Sequence, residues 1–360
     1  MKVKFAIIGG GIAGLCAAIR LTELGEKPLL IEGGTYPTHK ICGEFLSPEC
    51  IGYLKKWGIS PIPITKTILR TSKQQLNFPF AEIAGGLSHF ELDPSLANYA
   101  LEKGTNIQTN SKVQTIHPKQ HPSERHFIGL VNGEWIEVEN LIIATGRYPS
   151  QFENKPVMKY IGFKAHFEGI PLNENTLEMF SLSGAYLGIS PIENQQFNVA
   201  CLADLKMIGK ENPKEYFQHI IDQNDRLKLL LGQGKNLFSE WMMAELPEFQ
   251  MKQTPEWLDA YFIGDATLTI PPACGNGLSL AILGGRLAAE YAIQEMDKEF
   301  KKTWLKSCRS QFFWATLLHK WMLNLHTSDA LVTLGNTFPW MSRAMFKLTR
   351  QRECIPNELR

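Results

Sequence analysis

Residues 9–14 read Gly-Gly-Gly-Ile-Ala-Gly. They lie between a short apolar, β-branched run, Val3 to Ile8, and an Ala/Leu-rich stretch, Leu15 to Leu24, with helical spacing. Strand, glycine turn and helix in that order restrict the fold more than any other feature of the chain. Gly9, Gly11 and Gly14 fall on the G-x-G-x-x-G positions: the first permits the tight turn, the second lets backbone approach a pyrophosphate, and the third lets helix pack on strand. Ile12 and Ala13 complete the turn, and the helix N-terminus that follows faces any phosphate held there with free N–H groups and its positive dipole end. After Gly25 a second strand, Pro28 to Ile31, ends in Glu32, about 20 residues past the glycines, where an acceptor for ribose hydroxyls belongs. The expected unit is an α/β dinucleotide-binding fold, and this motif alone does not separate FAD from NAD.

The 360 residues suggest two or three domains at roughly 150 residues each. With 44% hydrophobic and 20% charged residues the chain is globular, which excludes disordered and fibrous classes. The 37 Lys and Arg against 36 Asp and Glu leave no global field for nucleic acid, and no nucleic-acid-binding module is present. Seven cysteines, an odd number with no C-x-x-C pair, suggest neither a disulfide framework nor a zinc site, and they fit a reducing compartment. Cys274 reads as a small packing residue. No run of 18 apolar residues occurs and the chain enters a strand at once, so a cytoplasmic protein without a signal peptide is expected.

Two further stretches complete the pattern. Leu141 to Ile143 is a buried-type strand running into Ala144-Thr145-Gly146. Ala260 to Ile263 is another, ending in Gly264-Asp265 and followed by Pro271-Pro272-Ala273-Cys274-Gly275-Asn276-Gly277-Leu278 and a helix to about Gln294. With the glycine turn, these residues resemble the FAD-dependent superfamily that contains the aromatic hydroxylases of the para-hydroxybenzoate hydroxylase fold and the geranylgeranyl reductases. The resemblance covers about the first 300 residues. It implies non-covalent FAD, with Asp265 accepting from the ribityl chain and Gly275 to Leu278 facing the flavin pyrimidine end. A helix N-terminus there favours the charge of the reduced ring. Lys40-Ile41-Cys42-Gly43-Glu44 looks like the segment that runs along the cofactor, and geranylgeranyl reductases carry a similar Cys-Gly. Leu92-Asp93 looks like the helix that follows an arginine in the family, and here that position is His89. Hydroxylases of this fold end the middle strand in Asp-Gly, where this chain has Thr145-Gly146. The Trp-x-Trp-x-Ile-Pro signature of flavin halogenases is missing, and so is a second glycine motif for a nicotinamide domain. NAD(P)H would therefore bind transiently, or electrons would come from a protein partner.

The implied fold class is α/β: a Rossmann-like FAD domain of residues 1–70, 88–150 and 249–294, an antiparallel-sheet substrate domain of residues 71–87 and 151–248, and a helical region of residues 295–360. Alternating runs at Gly162–Phe167, Leu177–Leu182, Ala185–Ile189 and Phe197–Leu202 supply the sheet, and a helical span follows from Lys214 to Leu231. Substrate would sit between that sheet and the flavin. Candidate catalytic residues are Cys42 and Glu44 as proton donors and His166, which shares a strand face with Lys164, while Lys40 is a candidate partner for the pyrophosphate. From Lys298 to Arg352 ten Lys and Arg stand against Glu299 and Asp329 among many aromatics. That stretch reads as helices packed on the FAD domain with a solvated basic face. Its sharper reading is a surface for peripheral contact with anionic membrane, or the wall of an apolar tunnel. The expected activity is an NAD(P)H-dependent monooxygenase hydroxylating a hydrophobic aromatic or polyketide-type molecule through a flavin peroxide. The alternative is C=C reduction of an isoprenoid or polyene, and a non-catalytic flavin- or lipid-binding module is a third. The sequence leaves oligomeric state open.

Overall fold

The computed structural model describes residues 1–121, 123–146 and 156–350. Strand β1 (Lys2–Ile8) buries its last four residues, turns at the glycines into α1 (Ile12–Glu23), and is followed by β2 (Leu29–Ile31). The chain then leaves this layer for β3 (Phe45–Leu46), helix α2 (Pro48–Lys56) and the hairpin β4 (Ile62–Arg70) and β5 (Gln75–Gly86). Helix α3 (His89–Glu102) brings it back to β6 (Asn106–Gln108), β7 (Val113–His117), β8 (His126–Leu130) and β9 (Trp135–Ile143). Four long strands follow: β10 (Met158–Glu168), β11 (Thr176–Leu182), β12 (Ala185–Ile192) and β13 (Gln196–Asp204). After them come α4 (Leu205–Ile208), α5 (Pro213–Asp222), α6 (Asp225–Gln233), β14 (Lys235–Asn236), β15 (Met242–Pro247) and β16 (Tyr261–Phe262). Helices α7 (Gly277–Ile293), α8 (Asp297–Met322), α9 (Leu325–Thr337) and α10 (Pro339–Leu348) complete the described chain.

The first sheet runs β6-β2-β1-β9-β8-β7, with β16 also paired to β9. Pairing is parallel from β6 through β1 to β9 and β16, and antiparallel across β7, β8 and β9. Helices α1 and α7 pack against each other on this sheet, and nine of the twelve α1 residues are buried, which explains its Ala/Leu composition. The second sheet runs β14-β10-β13-β12-β11-β4-β5-β3, with β15 also on β10.

Three features differ from expectation. The second sheet is mixed, because β11 pairs parallel with β4 while the other pairings are antiparallel. Strand β4 belongs to it in full, so residues 62–70 lie with the substrate sheet rather than the cofactor layer. The helical span after β13 is two helices, broken at Gln223 and Asn224, whose side chain caps α6 by accepting from the Leu227 amide. The boundary drawn between residues 150 and 151 lies outside the described residues. One face of the second sheet is covered by α5 and α6. Its other face, with the C-terminal ends of β1 and β9 and the last three helices, encloses a cavity of about 1020 Å³.

Candidate active site

At the end of β1 the chain turns at Gly9, whose φ of +104° suits glycine and whose missing Cβ would lie 2.3 Å from the Ala144 carbonyl oxygen at the end of β9. Gly11 faces the opposite way, and a Cβ there would meet only Lys40 Nζ, at 3.9 Å. The turn is thus closed against protein at Gly9 and open at Gly11. Gly11 caps α1 without a side-chain hydrogen bond, so the first-turn amides, including those of Ile12, Ala13 and Gly14, remain available to an anion. Glu32 lines the same cavity; its Oε2 accepts from the Gly10 amide at 2.5 Å and its Oε1 from the Gly34 amide at 2.7 Å. Thr145 and Gly146 line it too, and Thr145 Oγ1 is sealed from solvent with no partner among the described residues. An open glycine turn under a lysine ammonium, a carboxylate set across it and an orphaned hydroxyl together fit the pyrophosphate and ribose of FAD.

At the far end of the cleft, β16 leads into a turn at Gly264–Ala266 that sets Asp265 on the cavity wall beside α1. Gly275 (φ +62°) and Asn276 then open α7, and Gly275, Gly277 and Leu278 line the cavity. The Asn276 side chain turns away from that wall and donates to the Thr349 carbonyl at 2.8 Å. Beyond α10, Arg350 donates through Nη2 to the Cys274 carbonyl at 2.7 Å and lies over the Phe346 ring at 4.1 Å. A cation thus stands beside the N-terminus of α7, and burial pulls its pKa down. Burial pushes the Cys274 thiol up to about 12, which suits its reading as a packing residue.

The middle of the cavity holds the chemistry. Cys42 and His89 both line it, the imidazole acts electrostatically on the Cys42 thiol, and His89 Nδ1 is 2.9 Å from Asp93 Oδ1. Burial alone would raise the Cys42 thiol, but the hydrogen bond and charge of His89, with the Glu44 amide donating at 3.4 Å, hold it below its ordinary value. Burial likewise opposes the His89 imidazolium, yet Asp93 and Cys42 outweigh it and raise His89 to about 9. Asp93 is itself buried but held as a carboxylate by His89 and by Lys40, whose Nζ is 2.6 Å from its Oδ2. The result is an imidazole raised to about 9, backed by a carboxylate and set beside a thiol lowered from its ordinary value, the arrangement that orients a histidine and places a proton beside a sulfur. Lys40 therefore stands near Gly11 as expected but shares its charge with Asp93.

Glu44 departs from the expectation of a proton donor. Its residue adopts φ +52°, it is fully buried, and its Oε1 accepts from Lys164 Nζ at 2.5 Å and the His89 amide at 2.8 Å. Its Oε2 lies 2.8 Å from His166 Nε2. Burial raises its pKa, but His166 and Lys164 more than compensate, so the carboxyl stays ionised and has no proton to give. Its work is to tie the 40–44 segment to the second sheet, where Lys164 also donates to the Lys40 carbonyl at 2.8 Å and Asn198 donates to the Cys42 carbonyl at 3.0 Å. His166, 3% exposed, belongs to this clamp and is not on the cavity wall, so its expected catalytic role is also displaced. Gly43 does line the cavity, between the two functions. Sequence reasoning missed His89 and Asp93 as a unit; their spacing of four on one helix was the available signal. It had none for Arg350; the helices that close the cavity, α8 through Trp314, Leu318 and Trp321 and α9 and α10 through Leu331, Met341 and Met345, come from the aromatic stretch that the sequence offered as the wall of an apolar tunnel. Among the described residues no group of His, Cys, Asp and Glu could hold a metal ion.

Comparison with known proteins places this geometry. Residues 3–170 match the family described as pyridine nucleotide-disulphide oxidoreductase. The menaquinone reductase of Mycobacterium tuberculosis is 24% identical over 318 residues, covering 79% of this chain and 75% of that protein. Among solved structures, the flavin-dependent brominase Bmp2 superposes with a TM-score of 0.80 at 16% identity, covering 97% of this chain and 94% of that one. A geranylgeranyl bacteriochlorophyll reductase-like protein of Thermoplasma acidophilum does so with a TM-score of 0.76 at 18% identity, covering 96% and 99%. The matched folds include a halogenase in complex with FAD.

Proposed function

Since the chain belongs to the superfamily of FAD-dependent oxidoreductases and is an FAD-dependent enzyme, we propose that it reduces a C=C bond of a long apolar, isoprenoid-type substrate. The observation that carries this reading is the Cys42–His89–Asp93 relay on the cavity wall. FAD, reduced by NAD(P)H or by a protein partner, supplies the hydride when bound. The chain supplies the matching proton. The Cys42–His89 pair holds one, Asp93 fixes the imidazole, and transfer to the second carbon of the double bond leaves the pair to be recharged from solvent. Gly9 to Gly14, Glu32, Thr145, Asp265 and the α7 N-terminus would hold the cofactor, and Leu69, Leu76, Phe78, Leu177 and Met179 would exclude water from the substrate. The names carried by the mycobacterial relative and by the Thermoplasma structure, both reductases, support the same direction. Hydroxylation, the first expectation from sequence, has no use for a proton donor of this kind at the reacting carbon.

The test is the mass of the product. Holoenzyme reduced without oxygen and mixed with a menaquinone or a polyprenyl lipid should yield a product two mass units heavier in H₂O, with non-exchangeable deuterium gained on carbon in D₂O. Cys42→Ser should slow that step by about 10²-fold or more, the usual worth of a positioned acid. A product sixteen mass units heavier, formed only with oxygen, would replace this reading by hydroxylation.

A further inference from the structure

Helix α8 has two faces. Phe300, Trp304, Cys308, Gln311, Ala315, His319 and Met322 are buried at helical spacing, and Lys302, Lys306, Arg309, Phe313 and Lys320 run along the exposed face. Helix α10 differs, since none of its described residues is buried although seven of them, including Trp340, Met341, Met345 and Leu348, line the cavity. It closes the cavity as a single layer. Around its start the surface is apolar: Leu334 is 44% exposed, Phe338 45% and Trp340 65%. Leu334 and Trp340 belong both to this patch and to the cavity wall, so the patch is continuous with the interior. Exposed Lys347 shares a helix face with Trp340, seven residues before it. An aromatic, apolar rim with a lysine beside it, on a helix that separates an apolar cavity from the outside, has the composition of an interfacial segment.

We propose that the turn between α9 and α10 docks on an anionic lipid bilayer and is the gate through which a lipid-borne substrate enters the cavity. The aromatic side chains would sink into the headgroup boundary and Lys347 would meet the lipid phosphates. No described helix is long and apolar enough to cross a membrane, so the contact is peripheral. The proposal extends the reductase reading by giving the substrate a route, and it is tested without turnover, so either can fail alone. Holoprotein is sedimented with vesicles of phosphatidylcholine and with vesicles containing about one-third phosphatidylglycerol. The anionic vesicles should carry it down, less so at high salt. The Phe338→Ser, Trp340→Ser double variant should bind at least tenfold more weakly while keeping its FAD and its thermal midpoint. No binding to anionic vesicles at low salt, or equal binding by the double variant, overturns the proposal. So does a dimer in sedimentation velocity that the double substitution breaks in a protein that ignores vesicles, because the patch would then be covered by a second copy.

Discussion

Replacing His89 by Gln isolates the central claim about the cavity, that the Cys42 thiol is acidified by its neighbour. In the wild-type chain burial pushes the thiol up, and it is the His89 hydrogen bond and charge that bring it below its ordinary value. A hydrogen bond to a charged group contributes about 1.5–3 kcal/mol. At roughly 1.4 kcal/mol per factor of ten, its loss lowers the thiol's acid dissociation constant, and with it the thiolate fraction at pH values below the thiol's titration range, by about 10- to 100-fold. Alkylation follows the thiolate, and Cys42 is partly exposed whereas Cys16, Cys50, Cys201, Cys274 and Cys308 are buried. Iodoacetamide labelling of the Cys42 peptide, followed by mass spectrometry against pH, should therefore slow by that factor in His89→Gln. Asp93→Asn should slow it less, because the imidazole stays but loses its anchor. Labelling in His89→Gln as fast as in the wild type would refute the relay, and with it the proton source of the proposed reaction.

Gly9→Ala and Gly11→Ala should separate folding from cofactor binding. The first forces a Cβ to 2.3 Å from the Ala144 carbonyl at positive φ, and should lower stability by about 1–3 kcal/mol in urea unfolding of the apoprotein. The second has room in the protein and should change apo stability by less than about 1 kcal/mol while reducing FAD retention on gel filtration. Lys164→Met leaves fully buried Glu44 without its ammonium and should cost about 3–5 kcal/mol, with much of that regained when Glu44→Leu is added. His89, whose folded pKa of about 9 lies above the ordinary value of 6.5, stabilises the fold fully below about 6.5 and loses that contribution as pH rises through about 9. Asp93 and Glu44, both lowered, stabilise above the ordinary carboxylate range and lose it as pH falls. Thermal midpoints should therefore fall on the acid side; on the alkaline side the lowered Cys42 thiol works in the opposite sense and offsets the His89 loss, so Cys42→Ser should expose an alkaline decline that the wild type lacks.

The cofactor half was legible because its signals are local. The glycine turn, Glu32, the strand ending at Thr145 and the Gly264-Asp265 turn each lie within a few residues of the element that explains them. The substrate half was legible only as strands. Alternation revealed that Lys164 and His166 share a face, but Glu44, which receives both, is some 120 residues away and nothing in the alternation points to it. The same holds for β4, whose parallel partner is β11, and for Cys42, whose acidity depends on a helix that starts at His89. Pairings across such separations are settled by tertiary packing, which leaves no period in the sequence. Glu44 was misassigned for that reason: as a letter it is an acid near a cofactor motif, and only its three donors reveal a clamp.

The pairing of β4 with β11 also orders events during synthesis. Arg70 leaves the ribosome before Thr176, Leu177 and the rest of β11 exist, an interval of about 5–20 s at ordinary elongation rates. During it the β4–β5 hairpin carries an open edge that any other strand could occupy. Its far side waits longer still, since the α9 residue Asn336, which donates to the Gln75 carbonyl, is synthesised 261 residues later. The nascent chain therefore holds two unfinished sheets, since β1 still lacks β9 and α1 still lacks α7, and it is in that interval that a chaperone has most to protect.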